Sequence, residues 1–241
     1  MFGKDTYKKI LKKYSDHALD IVEVYALAPE TFSLLRNDVE FSLDRAYRVS
    51  DWNNEYKFPS SVLVQVCCDA YNIFSLPCKS ILRSIDDSKY STVGLHLYIS
   101  HLECGDWKNF YNELSMQAKL LSDCIGRSVD RFSIHRPPSW TLENSSDVMC
   151  GMLNFYGKSF FEYTPIPSKI KYLADSQHCF KYGNPLDDFN YQKYQLLLHP
   201  DEWTDKGADA LNNFNSMKRE HSTRFESCLK SETNHYVKVY E

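Results

Sequence analysis

A chain of 241 residues, 43% hydrophobic and 25% charged, has the length for one globular domain with a sizeable core. A net charge of −4 and a pI near 6.1 exclude nucleic acid as the main ligand, because phosphate backbones demand a basic face. The eight cysteines include no CxxC, which excludes a zinc ribbon or a dithiol redox motif.

In chain order, the opening "MFGKDTYKKILKKYSD" is charged and periodic where a leader peptide would be apolar, and Thr6 to Ala18 is predicted as an amphipathic helix. "VEFSLD", Val39 to Asp44, is predicted as a short strand ending in a carboxylate. "SSVLVQVCCD", Ser60 to Asp69, is a second strand, apolar almost throughout as expected where both faces are covered. "STVGLHLY", Ser91 to Tyr98, is a third. Trp107 to Gly126 is the clearest helix, with Phe110, Leu114, Ala118 and Leu121 at helical spacing and Gly126 as its stop. "DRFSIHRPP", Asp130 to Pro138, is a fourth strand, ended by its prolines. "SKIKYLADS" and "YQLLLHP" supply two more. From Thr204 to Lys230 a closing helix is expected, with Thr204 or Asp205 as its N-cap. The alternation of helices and strands predicts an α/β fold with a parallel sheet or barrel. No segment has the length and apolarity of a membrane span, and scattered cysteines point to a reducing cytoplasm.

The strand ends carry the chemistry. Asp44, Asp69, His96, His135, Asp175 and His199 each fall at or just beyond the end of a predicted strand. In parallel α/β barrels the site is assembled from residues at those ends. Imidazoles plus a carboxylate form the ligand set of Zn²⁺ and similar divalent ions that keep an open position. A further histidine supplies a proton to a leaving amine. Arg136 is placed to hold a carboxylate in fixed orientation. The set suits hydrolysis of an amide or ester. A nucleotide cofactor and a serine hydrolase are not indicated, since GxGxxG, GxxxxGK[ST] and GxSxG are all missing. The aromatic content of 15%, with 17 tyrosines, fits an aromatic core and a sugar-binding cleft about equally.

At these residues the sequence resembles the polysaccharide deacetylase (NodB-homology) superfamily, and within it a subgroup associated with O-antigen and capsule biosynthesis. The resemblance runs from about Val39 to Trp203. "FSLD" looks like the first motif, a strand ending in Asp. "DAYNIFS" is similar to a segment of the subgroup after its second strand. "TVGLH" looks like the segment carrying the first metal histidine, here His96. "FSIHRPPSW" is similar to the Arg-Pro motif, here Arg136 and Pro137. "YLADS" resembles the segment bearing Asp175, and "LLLHPDEW" the last motif, whose histidine, here His199, is the family's general acid.

The resemblance implies a distorted (β/α) barrel of about seven parallel strands, a single domain over 1–241 with a helical lead-in over 1–38 and a C-terminal helix and tail over 204–241. It implies a divalent metal, with Zn²⁺ the first expectation, held by Asp44, His96 and His135, with His101 in reserve. It implies catalytic roles for Asp44, Arg136, Asp175 and His199, and contacts to substrate from Asp69, Tyr98, Pro137, Trp140 and Trp203. The substrate class implied is an N-acetylated sugar, free, nucleotide-linked or lipid-linked, with N-deacetylation as the reaction. Two departures stand out. The family's first motif has adjacent aspartates, but Arg45 follows Asp44; its second has histidines four apart, but Ser100 stands four after His96. The general base is left open between Asp69 and Asp175. A catalytically degenerate relative that binds a glycan or an assembly partner is the alternative. His17, His221 and His235 are expected at the surface, and His178 in a structural role.

Overall fold

The computed structural model describes residues 1–164 and 168–233. Eight strands form one curled sheet in the order β5-β6-β4-β3-β2-β1-β8-β7, where β1 is Phe32–Val39, β2 Ser60–Val64, β3 Ser91–Leu97, β4 Arg131–Ile134, β5 Val148–Met149, β6 Met152–Asn154, β7 Ile170–Ala174 and β8 Lys193–Leu197. All neighbours pair in parallel except β5 with β6. The helices are α1 (Lys4–Tyr14), α2 (Ile21–Leu27), α3 (Leu43–Glu55), α4 (Leu76–Asp86), α5 (Trp107–Ile125), α6 (Ser139–Glu143) and α7 (Ala210–Glu232). The α/β fold is a distorted, incompletely closed barrel of seven parallel strands, as expected, with the antiparallel β5 added at one edge.

Strand periodicity sorts β1 into two faces. Phe32 and Leu34 pack with Leu63, Leu153, Phe155 and Phe160, within the curl of the sheet. Leu35 packs oppositely, against Tyr7, Ile10 and Leu11 of α1 and Trp52 of α3. Val39 joins the larger cluster of β2, β3, α4 and α5. A buried polar network sits beneath the outer layer: Asn37 donates to Tyr7 Oη at 3.1 Å and to the Leu198 carbonyl at 2.8 Å, while Asn53 donates to Asn37 and Ser60. Gln195 of β8 ties that strand to the segment after β6, donating to the carbonyls of Phe155 and Phe160 at 2.8 and 2.9 Å.

Several boundaries differ from expectation: β2 stops at Val64 and not Asp69, α1 runs Lys4–Tyr14 and not Thr6–Ala18, and two further differences bear on the site. Of residues 39–44 only Val39 belongs to a strand, and Leu43 and Asp44 are helical. The strand lies upstream at Phe32–Val39, hydrogen-bonded to both β2 and β8, and Ser42 caps α3 by accepting from the Arg45 N–H at 3.3 Å. The closing helix begins at Ala210, not near Thr204, because Asp209 supplies the cap by accepting from Asn212 N–H at 2.8 Å. The tail residues 234–241, and with them His235, lie outside the described residues.

Gly94, at the centre of β3, is there for close approach. A Cβ on it would lie 2.5 Å from Arg131 Cγ, 2.6 Å from Leu63 Cδ2 and 2.9 Å from the Arg131 carbonyl oxygen. Gly94→Ala is therefore expected to destabilise the protein by about 1–3 kcal/mol, the usual scale for overpacking, read as a lowered urea midpoint. An unchanged midpoint would mean that the sheet relaxes freely at this point.

Candidate active site

The parallel strands β1, β3, β4, β7 and β8 end on the same rim, and the residues at those ends meet there. Glu40 follows β1, His96 lies within β3, and His135 follows β4. Their ligating atoms all lie within 4.8 Å of one another. His135 Nδ1 is 3.2 Å from His96 Nε2 and 3.1 Å from a Glu40 oxygen; the Gln65 amide nitrogen is also 3.1 Å from it. The two imidazoles stand edge to face at 90°, with Tyr98 stacked on His135 at 5.7 Å.

The hydrogen bonds behind His96 fix its proton. Ser133 Oγ donates to Asp38 at 3.3 Å, so it accepts from His96 Nδ1–H at 2.7 Å. That leaves the Nε2 lone pair facing His135 and Glu40. Burial first, and then the neighbouring His135, hold the His96 pKa well below the ordinary histidine range, so the ring is a neutral donor at neutral pH. Burial opposes ionisation of Glu40, but the His135 contact and the nearby His199 and His96 outweigh it and lower its pKa. Two imidazole nitrogens and a carboxylate thus converge on one point of the rim. Zinc–ligand distances near 2.0–2.2 Å imply an edge of about 3.3–3.6 Å between tetrahedral donors. The contacts of 3.1 and 3.2 Å at His135 are a few tenths of an ångström shorter, and all three donors lie within 4.8 Å of one another. This donor set fits a divalent cation.

A carboxylate clamp holds Glu40 in place. Asp201, buried in the turn after β8, accepts from the backbone N–H of Glu40 and of Phe41, both at 3.0 Å. Burial pushes the Asp201 carboxyl up to about 6 against the pull of those two bonds. Arg45 fastens the turn in its turn: it donates to the Asp201 carbonyl and to Asn213 at 2.7 Å, and it forks onto Glu220 of α7 at 2.8 Å.

Across the rim stands His199. Its backbone N–H donates to both oxygens of the buried Asp175 at 3.0 Å, and its Nδ1–H donates to the same carboxylate at 2.6 Å. The Trp203 indole N–H fills the other Asp175 oxygen at 2.6 Å. Burial alone would depress the imidazole, but Asp175 overrides it and pushes the His199 pKa up to about 9. With Nδ1 taken, Nε2 is the nitrogen left to carry a proton toward the cavity. Pro200 opens the short 3-10 turn that carries the chain away from the strand.

Glu40, His96 and His199 share one cavity of about 1130 Å³. Its other walls are largely aromatic, with Tyr156, Phe161, Tyr163, Tyr172 and Tyr182. Beneath it lies a buried guanidinium: Arg36 donates to Tyr156 Oη at 2.7 Å, and its Nε is 3.6 Å from Asp38. Asp38 Oδ1 and Arg36 Nε and Nη1 have no hydrogen-bond partner among the described residues.

Several expected residues lie elsewhere. Asp44 sits in the first turn of α3 with its side chain 64% exposed, paired with Arg224 at 2.9 Å, and it is not in the Glu40, His96, His135 cluster. The strand that was to aim it ends five residues earlier, at Val39. Asp44→Asn is expected to leave divalent-metal affinity unchanged and to cost at most about 0.5 kcal/mol in stability, as exposed pairs do. A loss of metal binding in that variant, by calorimetric titration, would contradict this placement. His101 is 53% exposed and lies 3.5 Å from Glu113, away from the cluster. Trp203 is fully buried, T-shaped against Phe2 and Tyr7, and its role is to hold Asp175; a residue without exposure cannot wall a cleft. Trp140 packs against Trp107 and Phe110. Asp69 is exposed and is not among the residues lining the cavity. Asp175 is committed to His199, so neither candidate base stands free in the site. Arg136 and Pro137 do line the cavity. His178 bonds Glu202 and the Ala208 carbonyl, and His221 the Phe41 carbonyl. Asp38 and Glu40 were not anticipated. The available signal was "NDVE", two carboxylates one residue apart, which share a face at the end of any strand containing them.

No family model matches the chain, and no curated protein does. Among solved structures, a CE4 esterase from Streptococcus mutans matches 88% of this chain and 91% of its own, at 13% identity and a TM-score of 0.50. A Streptococcus pyogenes deacetylase in complex with acetate matches 58% of this chain at 14% identity and TM-score 0.44, and a CE4 pseudoenzyme from Bacillus anthracis matches 80% at 9% and 0.47. The chain spans 66% and 60% of the lengths of these last two. At 13% identity the first likeness establishes the fold: this chain has the fold of the CE4 carbohydrate esterases, a family of NodB-like deacetylases. Among the described residues no helix is long and apolar enough to cross a membrane.

Proposed function

We propose that the chain is a metal-dependent carbohydrate N-deacetylase, with Glu40, His96 and His135 as the metal ligands. The observation that carries this is the convergence of two imidazole donors and one carboxylate beside a cavity that also contains an imidazolium. A bound divalent cation supplies Lewis acidity at an amide carbonyl and acidifies a water. The rest is the work of the chain itself. Asp38, buried beneath the cavity 3.5 Å from His96 and with no hydrogen bond to its Oδ1 among the described residues, is the candidate acceptor of the proton lost by the attacking water. His199 Nε2–H, across the cavity, gives a proton to the departing sugar nitrogen, and Asp175 keeps the ring oriented and stabilises its positive charge. The tyrosine-rich walls offer flat faces to sugar rings. The wider setting we assign is surface-polysaccharide assembly, and the eight unpaired cysteines suit a reducing compartment.

Acetate release from N-acetylated sugars, with and without added Zn²⁺, Co²⁺ or Mn²⁺, tests this function. Metal-dependent release supports it. A protein that binds no divalent ion and releases no acetate is instead the glycan-binding relative with a lapsed active site.

A further inference from the structure

The cavity is larger than the catalytic cluster needs, and its remaining wall has a charge pattern that deacetylation leaves unexplained. Three cations line it: Arg136, Lys171 and Lys181. Arg136 and Lys181 have neither a hydrogen bond nor an ion pair among the described residues, and Lys171 has only the face of Phe189, 4.7 Å from the ring centre. The three lining glutamates, by contrast, are all engaged. Glu40 belongs to the metal cluster. Glu162 accepts from the backbone N–H groups of Ser168, Lys169 and Ile170 and from the Ser168 hydroxyl. Glu202 accepts from the His178 ring and backbone. The charged side chains of the cavity left without a hydrogen bond or ion pair among the described residues are therefore cations, with Arg136 and Lys181 exposed and Lys171 half-buried, in a protein whose net charge is −4.

The backbone at Arg136 adds a second observation. Its φ of 46° is in the left-handed region, unusual for any residue other than glycine and disfavoured again by the proline that follows. Such strain persists only where the surroundings impose it, and it concentrates at ligand-binding sites. Here it sets a guanidinium at the cavity wall directly after a candidate metal ligand.

We infer that this wall binds an anionic group carried by the acetylated sugar, a phosphate or a carboxylate, so that the substrate is an acidic or phosphate-linked amino sugar and not a neutral polymer. The inference rests on the deacetylase reading of the same cavity. Unpaired cations in a concave site focus the field on an incoming anion. Arg136 offers a fork matched to two anionic oxygens, and the lysines add point charges.

Calorimetric binding of three probes to the zinc-loaded protein tests it: N-acetylglucosamine 1-phosphate, N-acetylmuramic acid and N-acetylglucosamine. One of the two charged probes is expected to bind at least about tenfold more tightly than the neutral one, the scale of a hydrogen bond to a charged group. Which of the two does so separates phosphate from carboxylate. That advantage is expected to shrink in 0.5 M salt and to be lost in both K171Q/K181Q and R136Q. Equal binding of charged and neutral probes, or an advantage that survives in both variants, overturns the inference. Acetate release that ignores substrate charge overturns it while leaving the deacetylase reading intact. Charge-dependent binding without acetate release from any probe supports the anion site and removes the deacetylase reading.

Discussion

Glu40→Ala is expected to weaken zinc binding by more than about 100-fold and to abolish acetate release, while the apoprotein keeps its fold. Changes one shell out from a metal already cost about 10- to 100-fold, and Glu40 supplies a ligand atom itself. Glu40 is partly exposed, and its side chain packs into no core cluster, so stability should move little. Asp201→Ala is the graded companion. It leaves all three ligands in the chain but removes the acceptor that pins the backbone of Glu40 and Phe41. Zinc affinity is expected to fall by about 10- to 100-fold, with Asp201→Asn retaining more of it because an amide oxygen still accepts. Titration calorimetry separates the three variants. If Glu40→Ala binds zinc like the parent, the ligand assignment is wrong.

The second large effect belongs to His199. His199→Ala is expected to lower kcat by about 10²–10⁴-fold, the range attributed to a positioned acid, with zinc affinity retained, since His199 is not in the Glu40, His96, His135 cluster. The pH dependence follows from the same contact. Asp175 raises the folded-state pKa to about 9 from an ordinary value of 6.5. A raised pKa means that the proton is held more tightly in the folded state. The stabilisation is complete below about pH 6.5 and is lost as the pH rises through about 9. Activity should fall over the same alkaline range, because the neutral ring has no proton to give. Asp175→Asn should shift that fall toward neutral pH, since the amide cannot stabilise the imidazolium. A pH–rate profile identical in parent and Asp175→Asn would show that the 2.6 Å contact does not govern the acid.

The sequence made the architecture legible because it rests on local signals. Near-continuous apolar runs gave β2, β3 and β8, and helical spacing gave α5 almost to the residue. His96, His135, Asp175 and His199 were conspicuous because each interrupts or ends such a run, and the fold brings all four to one rim. The first motif was misplaced for a physical reason. Arg36, Asn37 and Asp38 are polar, so the segment does not look like a central strand, yet all three are buried and β1 is hydrogen-bonded on both sides. Their partners, Tyr156, Leu198 and Ser133, are about 100 residues or more away in the chain and are invisible to any local pattern. "FSLD" has the pattern of a strand ending in a carboxylate, but its serine is a helix cap and its aspartate belongs to the first helical turn. The Asp201 clamp was hidden likewise, since it depends on the meeting of two turns about 160 residues apart.

The most direct measurement is a crystal structure of the protein soaked with zinc, with the ion located by anomalous scattering at the zinc edge. The account predicts one strong peak within about 2.0–2.2 Å of His96 Nε2, His135 Nδ1 and a Glu40 oxygen, facing the cavity opposite His199. A peak bound to Asp44 or His101, or no peak at the rim under conditions that saturate the protein, would contradict it.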